Sequence, residues 1–255
     1  MILLSKKLQN LREKLSKYLA NIGFASRRSV ENLIKEKVIL LNGKKAKHID
    51  LVKDNDVLTI DGEDHIVDLY PETEVLIYHK PTGQVCSNVP TEKNDSVFSH
   101  LPPRKKGKWI MVGRLDVNTS GLLVFSNNGD FVNFLSHPSS KIDREYLCRV
   151  YGDINNKKLE NVIKGVNING EKSSFSDVVA VKKTSKSKNH WFYVCLFTGK
   201  NREVRKIWSS QKLTVNRLIR LRYGPIFMPD NLKPGGWKKF SKNEVRKLQN
   251  LLKIQ

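Results

Sequence analysis

The sequence predicts an α+β protein in two parts: a small α+β domain at residues 8–62, then a larger domain at 73–255 with a mixed, mostly antiparallel sheet and flanking helices. Three observations carry that expectation. Strand-length runs rich in Val, Ile, Tyr and Phe, bounded by Gly, Pro, Asn and Asp, recur through the second part. Helical periodicity is limited to brief stretches between those runs and to the two ends of the chain. A mixed acidic segment at 63–72, containing Pro71, has neither period and reads as a linker. At 255 residues the chain is long enough for both parts to bury a core.

Taken in order, Leu8, Leu11, Leu15, Leu19 and Ile22 recur at helical spacing until Gly23, a residue suited to a helix C-terminus. Ser26 is placed to cap a second helix, with Val30, Leu33 and Ile34 on one face and Arg27, Arg28 and Lys35 on the other. Residues 38–41 form an apolar strand followed by the turn pair Asn42-Gly43, and 56–60 form another, bounded by Asp61-Gly62. In the second part strands are expected at 74–79, 109–112, 121–126, 144–151, 175–181, 191–197 and 215–223, and helices at 131–135, 156–163 and 203–210. Residues 182–189 are a polar insertion between two strands. Ser241-Lys-Asn-Glu244 precedes Val245, Leu248, Leu251 and Leu252, the spacing of a capping box opening an amphipathic helix.

Charge narrows the partners. Lys and Arg number 46 against 25 Asp and Glu, a formal +21 with a pI near 9.9. Residues 198–255 alone hold 15 basic and 3 acidic side chains, so more than half of the excess lies in the last quarter, a field suited to a polyanion. Charge by itself does not separate RNA from DNA or anionic lipid, and a Lys-rich solvated surface looks the same. Cys86, Cys148 and Cys195 are too scattered for a disulfide framework or a zinc ribbon, which points to a reducing cytoplasm. No run approaches the roughly 20 apolar residues of a membrane span, and the first residues are too briefly apolar for a signal peptide. The metal and nucleotide motifs His-Glu-x-x-His and P-loop are absent, as is Gly-x-Ser-x-Gly, so no metal site is expected. Without heptads, a monomer is the default.

One segment is dense in groups able to do chemistry: Val112-Gly-Arg-Leu-Asp116-Val-Asn-Thr-Ser-Gly121-Leu-Leu-Val-Phe-Ser-Asn-Asn-Gly129, a polar loop running into a strand and a glycine turn. Loops set on a rigid sheet are where sites concentrate. The residue types alone also fit a plain turn, in which Asp116 and Thr119 cap backbone amides while Gly113 and Gly121 supply permissive dihedrals.

Within that segment Gly113-Arg-Leu-Asp-x-x-Thr-Ser-Gly-Leu-Leu123 resembles the catalytic motif of the pseudouridine synthases of ribosomal RNA, in the branch with an N-terminal S4 RNA-binding domain. Two further stretches are similar in the same order. Arg144-Glu-Tyr146-Leu-Cys-Arg-Val150 resembles the family's tyrosine-bearing strand, and Gly199-Lys-Asn-Arg-Glu-Val-Arg205-Lys-Ile its Asn-Arg-x-Val-Arg helix. Residues 8–62 resemble an S4 domain at Gly23-Phe-Ala-Ser-Arg-Arg28 and Leu41-Asn-Gly-Lys44. Asp116-Val-Asn-Thr-Ser120, Leu218-Ile-Arg-Leu-Arg-Tyr-Gly224 and Pro234-Gly-Gly-Trp237 look most like the members that act on large-subunit RNA; Thr198 departs from the acidic residue of that branch.

The resemblance implies a reaction, a substrate and roles. Uridine becomes pseudouridine in 23S rather than 16S ribosomal RNA, free or within an assembly intermediate, with no cofactor. Asp116 is the reacting carboxylate, Arg205 the cation that keeps it ionised against desolvation, and Tyr146 the aromatic that stacks on the flipped uracil. Arg27, Arg28 and Lys44 of the S4 unit, with Arg114, Arg202, Arg217, Arg220 and Arg222, form basic patches for phosphates. Two alternatives stay open at this point, a non-catalytic ribosome-assembly factor and a sister synthase acting on 16S or another 23S site.

Overall fold

The computed structural model describes residues 12–22, 24, 29–104, 107–181 and 187–254. Expectations placed on Leu8, Leu11, Gly23, Ser26, Arg27, Arg28 and most of the 182–189 insertion lie outside the described residues. The chain divides into two compact units, one comprising the residues before Glu74 with Pro103–Trp109 and Asn127–Gly129, the other Glu74–Pro102, Ile110–Ser126 and Asp130 onward. The architecture is α+β, and the large sheet is mixed but mostly antiparallel.

In the first unit, helices α1 (Leu15–Asn21) and α2 (Val30–Glu36) pack Leu15, Tyr18, Leu19 and Val30 against Ile39, Val52, Leu58 and Ile60. The leucine periodicity overstated α1 at its start. Arg12–Lys14 is a strand, β1, because its backbone pairs with Leu51–Lys53 (β4) instead of continuing the helix. Ser29 holds the N-cap position of α2 without a side-chain cap bond. Strands β2 (Ile39–Leu41), β3 (Lys44–Lys45), β5 (Val57–Ile60) and β6 (Glu63–Ile66) form a sheet in the order β3-β2-β5-β6. Two hairpins build it. Asn42 and Gly43 both have positive φ, and so do Asp61 and Gly62, the geometry of a two-residue turn whose twist matches the flanking strands. The second hairpin corrects the expected linker, whose first four residues are β6. That strand hides in the sequence because it turns no side chain into the core.

The second unit carries a nine-stranded sheet. From one edge run β13 (Asp177–Ala180), β14 (Asn189–Leu196), β10 (Arg144–Tyr151), β15 (Thr214–Tyr223), β9 (Ser120–Ser126), β7 (Val75–Lys80) and β17 (Trp237–Lys239), with β16 (Ile226–Phe227) on β15 and β8 (Ile110–Val112) on β9. Neighbours are antiparallel except β15 and β9, which run parallel. A separate hairpin, β11 (Val166–Ile168) with β12 (Glu171–Ser173), turns at Asn169-Gly170. This hairpin, β16 and β17 were not anticipated, since two or three residues are too short to show a period.

Helices α3 (Gly129–Ser136) and α6 (Lys242–Leu252) bury Phe131, Leu135, Val245 and Leu248 against Val75, Ile77, Leu122 and Val124. The capping box of α6 is present: Ser241 Oγ accepts from the Glu244 amide, and the Glu244 carboxylate accepts from the Ser241 amide at 2.7 Å. Helix α4 (Asn156–Lys164) buries Val162, and α5 (Glu203–Ser210) inserts Trp208 between Phe175 and Phe192, with ring centroids 5.5 and 5.1 Å away.

Candidate active site

The loop 113–119 enters β9 where β9 meets β15, and Gly121 makes that meeting possible. Its φ is +108°, and a Cβ there would overlap the backbone of Arg220, its register partner. Only glycine combines that dihedral with so close an approach. Gly113, at φ +66°, begins the same loop. A turn closes it, with the Thr119 amide donating to the Asp116 carbonyl at 3.0 Å.

The loop's carbonyls point inward onto two cations. Lys80, at the end of β7 and fully buried, donates from Nζ to the carbonyls of Pro81, Asp116, Val117 and Thr119 at 3.0, 3.1, 3.2 and 2.9 Å. Burial lowers its pKa, opposed by the thiol of Cys86 and the Asp116 carboxylate. Arg205 on α5 donates to the carbonyls of Asn118 (2.9 Å) and Val215 (2.6 Å). Four successive carbonyls of the loop, 116 to 119, are therefore held from below. At the other side of the loop the Leu115 amide faces Cys86 Sγ at 3.4 Å.

With its backbone held, Asp116 turns its carboxylate outward. The side chain is one-third exposed, and Oδ2 lies 3.7 Å from Arg202 Nη1. This modifies the expected pairing. Arg202 supplies the ion pair, whereas Arg205 is spent on carbonyls and acts on Asp116 through space. Burial and the charge of Arg202 lower the Arg205 pKa while Asp116 raises it. Arg202 owes its position to a left-handed backbone, φ +52°, at the N-cap of α5. Beside it Glu203 is buried and accepts from Thr198 Oγ1 at 2.7 and 2.8 Å, so Thr198 anchors the start of the helix.

Tyr146 reaches the same region through register. Tyr146 on β10 is opposite Arg220 on β15, which is opposite Gly121 on β9. Two strand spacings, about 10 Å, thus separate it from the base of the Asp116 loop. It is 8% exposed.

The remaining candidates divide by burial. Lys44, Arg114 and Arg217 are exposed, as a phosphate contact requires. Arg220 and Arg222 are corrections. Arg220 is 2% exposed, donates from Nε to the Leu122 carbonyl at 2.8 Å and lies over the Tyr223 ring. Arg222 forms a bidentate pair with Asp143 at 2.9 and 2.6 Å and bonds Glu145 at 2.9 Å, which raises its pKa further. Charge density alone does not distinguish a guanidinium that braces a sheet from one that faces solvent. The residue that sequence reasoning missed is Lys80; a lysine in step with Leu76 and Tyr78 at the end of a mostly apolar strand was the available signal.

Among the described residues no cluster of three or more His, Cys, Asp or Glu is placed to hold a metal ion, and no helix is long and apolar enough to cross a membrane. Comparison with known families assigns residues 74–210 to the RNA pseudouridylate synthases and residues 13–58 to the S4 domain. The chain belongs to the RNA pseudouridylate synthase family. This synthase is 41% identical over 246 residues to the ribosomal large subunit pseudouridine synthase B of Buchnera aphidicola subsp. Acyrthosiphon pisum, covering 95% of this chain and 98% of that one. To the protein of the same name from Vibrio vulnificus it is 42% identical over 250 residues, covering 96% of this chain and 77% of that one. In fold the synthase matches a crystal structure of a pseudouridylate synthase, with a TM-score of 0.62 at 20% identity over 94% of this chain and all of the other.

Proposed function

We propose that this synthase converts one uridine of large-subunit (23S) ribosomal RNA to pseudouridine, with Asp116 as the reacting carboxylate. The observation that carries the reading is the loop itself: an outward carboxylate on a backbone whose carbonyls are fixed by the buried Lys80 and the half-buried Arg205. Such preorganisation is what places a reacting group without reorganisation at the moment of reaction. The substrate class follows the large-subunit synthases that the chain is similar to over most of its length.

The reaction breaks the bond from C1′ of ribose to N1 of uracil, turns the base and forms a bond from C1′ to C5. The C5 proton is lost and N1 gains one, so the change is an isomerisation, redox-neutral and independent of a cofactor. Asp116 acts on the sugar, as nucleophile at C1′ or as base toward a ribose proton, and both roles need it ionised. Arg202 lies beside its Oδ2, and Arg205 holds the loop beneath it. Tyr146 stacks on the extruded base, and Lys44, Arg114 and Arg202 hold flanking phosphates without reading sequence. The first unit, with β6 as its edge strand, serves as the S4 RNA-binding domain and residues 73–255 as the catalytic domain of a cytoplasmic monomer.

The test uses unmodified large- and small-subunit transcripts, with pseudouridine mapped by carbodiimide-blocked primer extension. The wild type is expected to give one new stop in the large-subunit RNA. Asp116→Asn is expected to abolish it while keeping RNA affinity within a few-fold. A stop that survives Asp116→Asn would overturn the assignment, and a stop confined to the small-subunit RNA would overturn the substrate.

A further inference from the structure

Alternation on β10 turns Tyr146, Cys148 and Val150 into the core and Leu147, Arg149 and Tyr151 to the opposite face. Register extends that outer face across its neighbours. Leu147 is opposite Tyr193 on β14 and Ile219 on β15; Arg149 is opposite Trp191 and Arg217. The face is open, since Tyr193 and its β13 partner Val179 are 39% and 51% exposed and Arg217 is exposed as well.

Two features set it apart from an ordinary solvated sheet face. Arg149 and Arg217 are directly opposite on adjacent strands, an arrangement that repels, and neither has a carboxylate partner among the described residues. The same face neutralises another arginine fully, since Arg222 is held by Asp143 and Glu145. The uncompensated pair therefore lacks an anion that the sheet supplies elsewhere. The second feature is aromatic. Trp191 and Tyr193 lie two residues apart on one strand, with the Arg149 guanidinium 5.8 Å from the Trp191 ring centre and its Nε buried without a partner.

We propose that this face is a second RNA-binding surface, on which unpaired bases stack on Trp191 and Tyr193 while Arg149 and Arg217 hold the phosphates between them. Aromatic and cationic side chains side by side on a sheet bind single strands with little sequence preference, because every base has a π-face and every nucleotide a charge. An apolar protein partner would leave the two arginines uncompensated. The inference rests on the reading of this chain as an enzyme of ribosomal RNA and gives it a grip on the single-stranded RNA near the target.

The experiment uses the full chain with a short labelled single-stranded RNA and with the unmodified large-subunit transcript. Tyr193→Ala is expected to weaken binding of the short RNA on the order of tenfold, and Tyr193→Phe, which keeps the ring, to bind within about twofold of wild type. Arg217→Gln is expected to lower the slope of log affinity against log salt by about 0.7, the value for one lost phosphate contact on a single strand. Ultraviolet crosslinks are expected on the peptide that contains Trp191 and Tyr193. Unchanged affinity and salt slope, or crosslinks that avoid this peptide, would overturn the proposal. So would variants that lose self-association in sedimentation while binding RNA normally. A wild type that crosslinks here yet forms no pseudouridine would instead sink the functional reading and leave this surface standing.

Discussion

Replacing Lys80 with Met keeps the length of the side chain and removes its charge and donors. Four carbonyls then lose their partner, at 2.9 to 3.2 Å in the intact protein. A hydrogen bond to a charged group is worth about 1.5–3 kcal/mol net, but the variant also regains the several kcal/mol that burying an ammonium costs. The half-exposed loop lets some carbonyls reach water. The balance is a destabilisation of about 3 kcal/mol, within the range for breaking a buried charge network, or roughly 6–12 °C in Tm for a domain of this size. Activity should fall further than stability, because the Asp116 loop loses its anchor and a shift of about 1 Å at a reacting group costs about 100-fold. Urea unfolding and single-turnover pseudouridine formation at a temperature where the variant is folded measure the two effects separately. A variant within 0.5 kcal/mol of wild type, roughly the scale of a surface substitution, and equally active would refute the role given to Lys80.

Gly121→Ala places a Cβ against the Arg220 backbone at a φ that alanine avoids; a loss of about 3–5 kcal/mol in chemical denaturation is expected, by overpacking and strain together. Arg202→Gln and Arg205→Gln should separate. The first loses an exposed ion pair worth about 0–1 kcal/mol, so melting stays near wild type while single-turnover pseudouridine formation slows; the second leaves the Asn118 and Val215 carbonyls unpaired and costs about 1–3 kcal/mol as well as activity. Glu244, with its backbone and Lys238 bonds, has its pKa pulled down from 4.5 to about 2. A carboxyl depressed on folding stabilises above its unfolded value and loses that contribution as pH falls through the folded one. The stability gap between wild type and Glu244→Gln should therefore close between pH 4.5 and about 2, and a gap constant across that window would contradict the capping-box assignment.

Local chemistry was legible where a segment's own residues determine its state. The capping box of α6 satisfies its amides within four residues, and β10 and α5 begin and end where their patterns said, because their apolar periods face a core. The motif from Gly113 to Leu123 marked the Asp116 loop by resemblance, whereas the need for glycine at 121 comes from the approach of the Arg220 backbone on β15. Strands with no buried side chain, such as β6, left no period to read. Partnerships were decided only by the fold. Lys80 meets carbonyls 36 to 39 residues away, Arg205 holds one 87 residues away, and Arg220 and Arg222, neighbours in one basic run, become internal braces while Arg217 stays in solvent. A guanidinium or ammonium is defined by what surrounds it, and the pairing of strands distant in sequence determines those surroundings. One-dimensional spacing therefore marked the loop that carries Asp116, and the tertiary structure chose the cations that hold that loop.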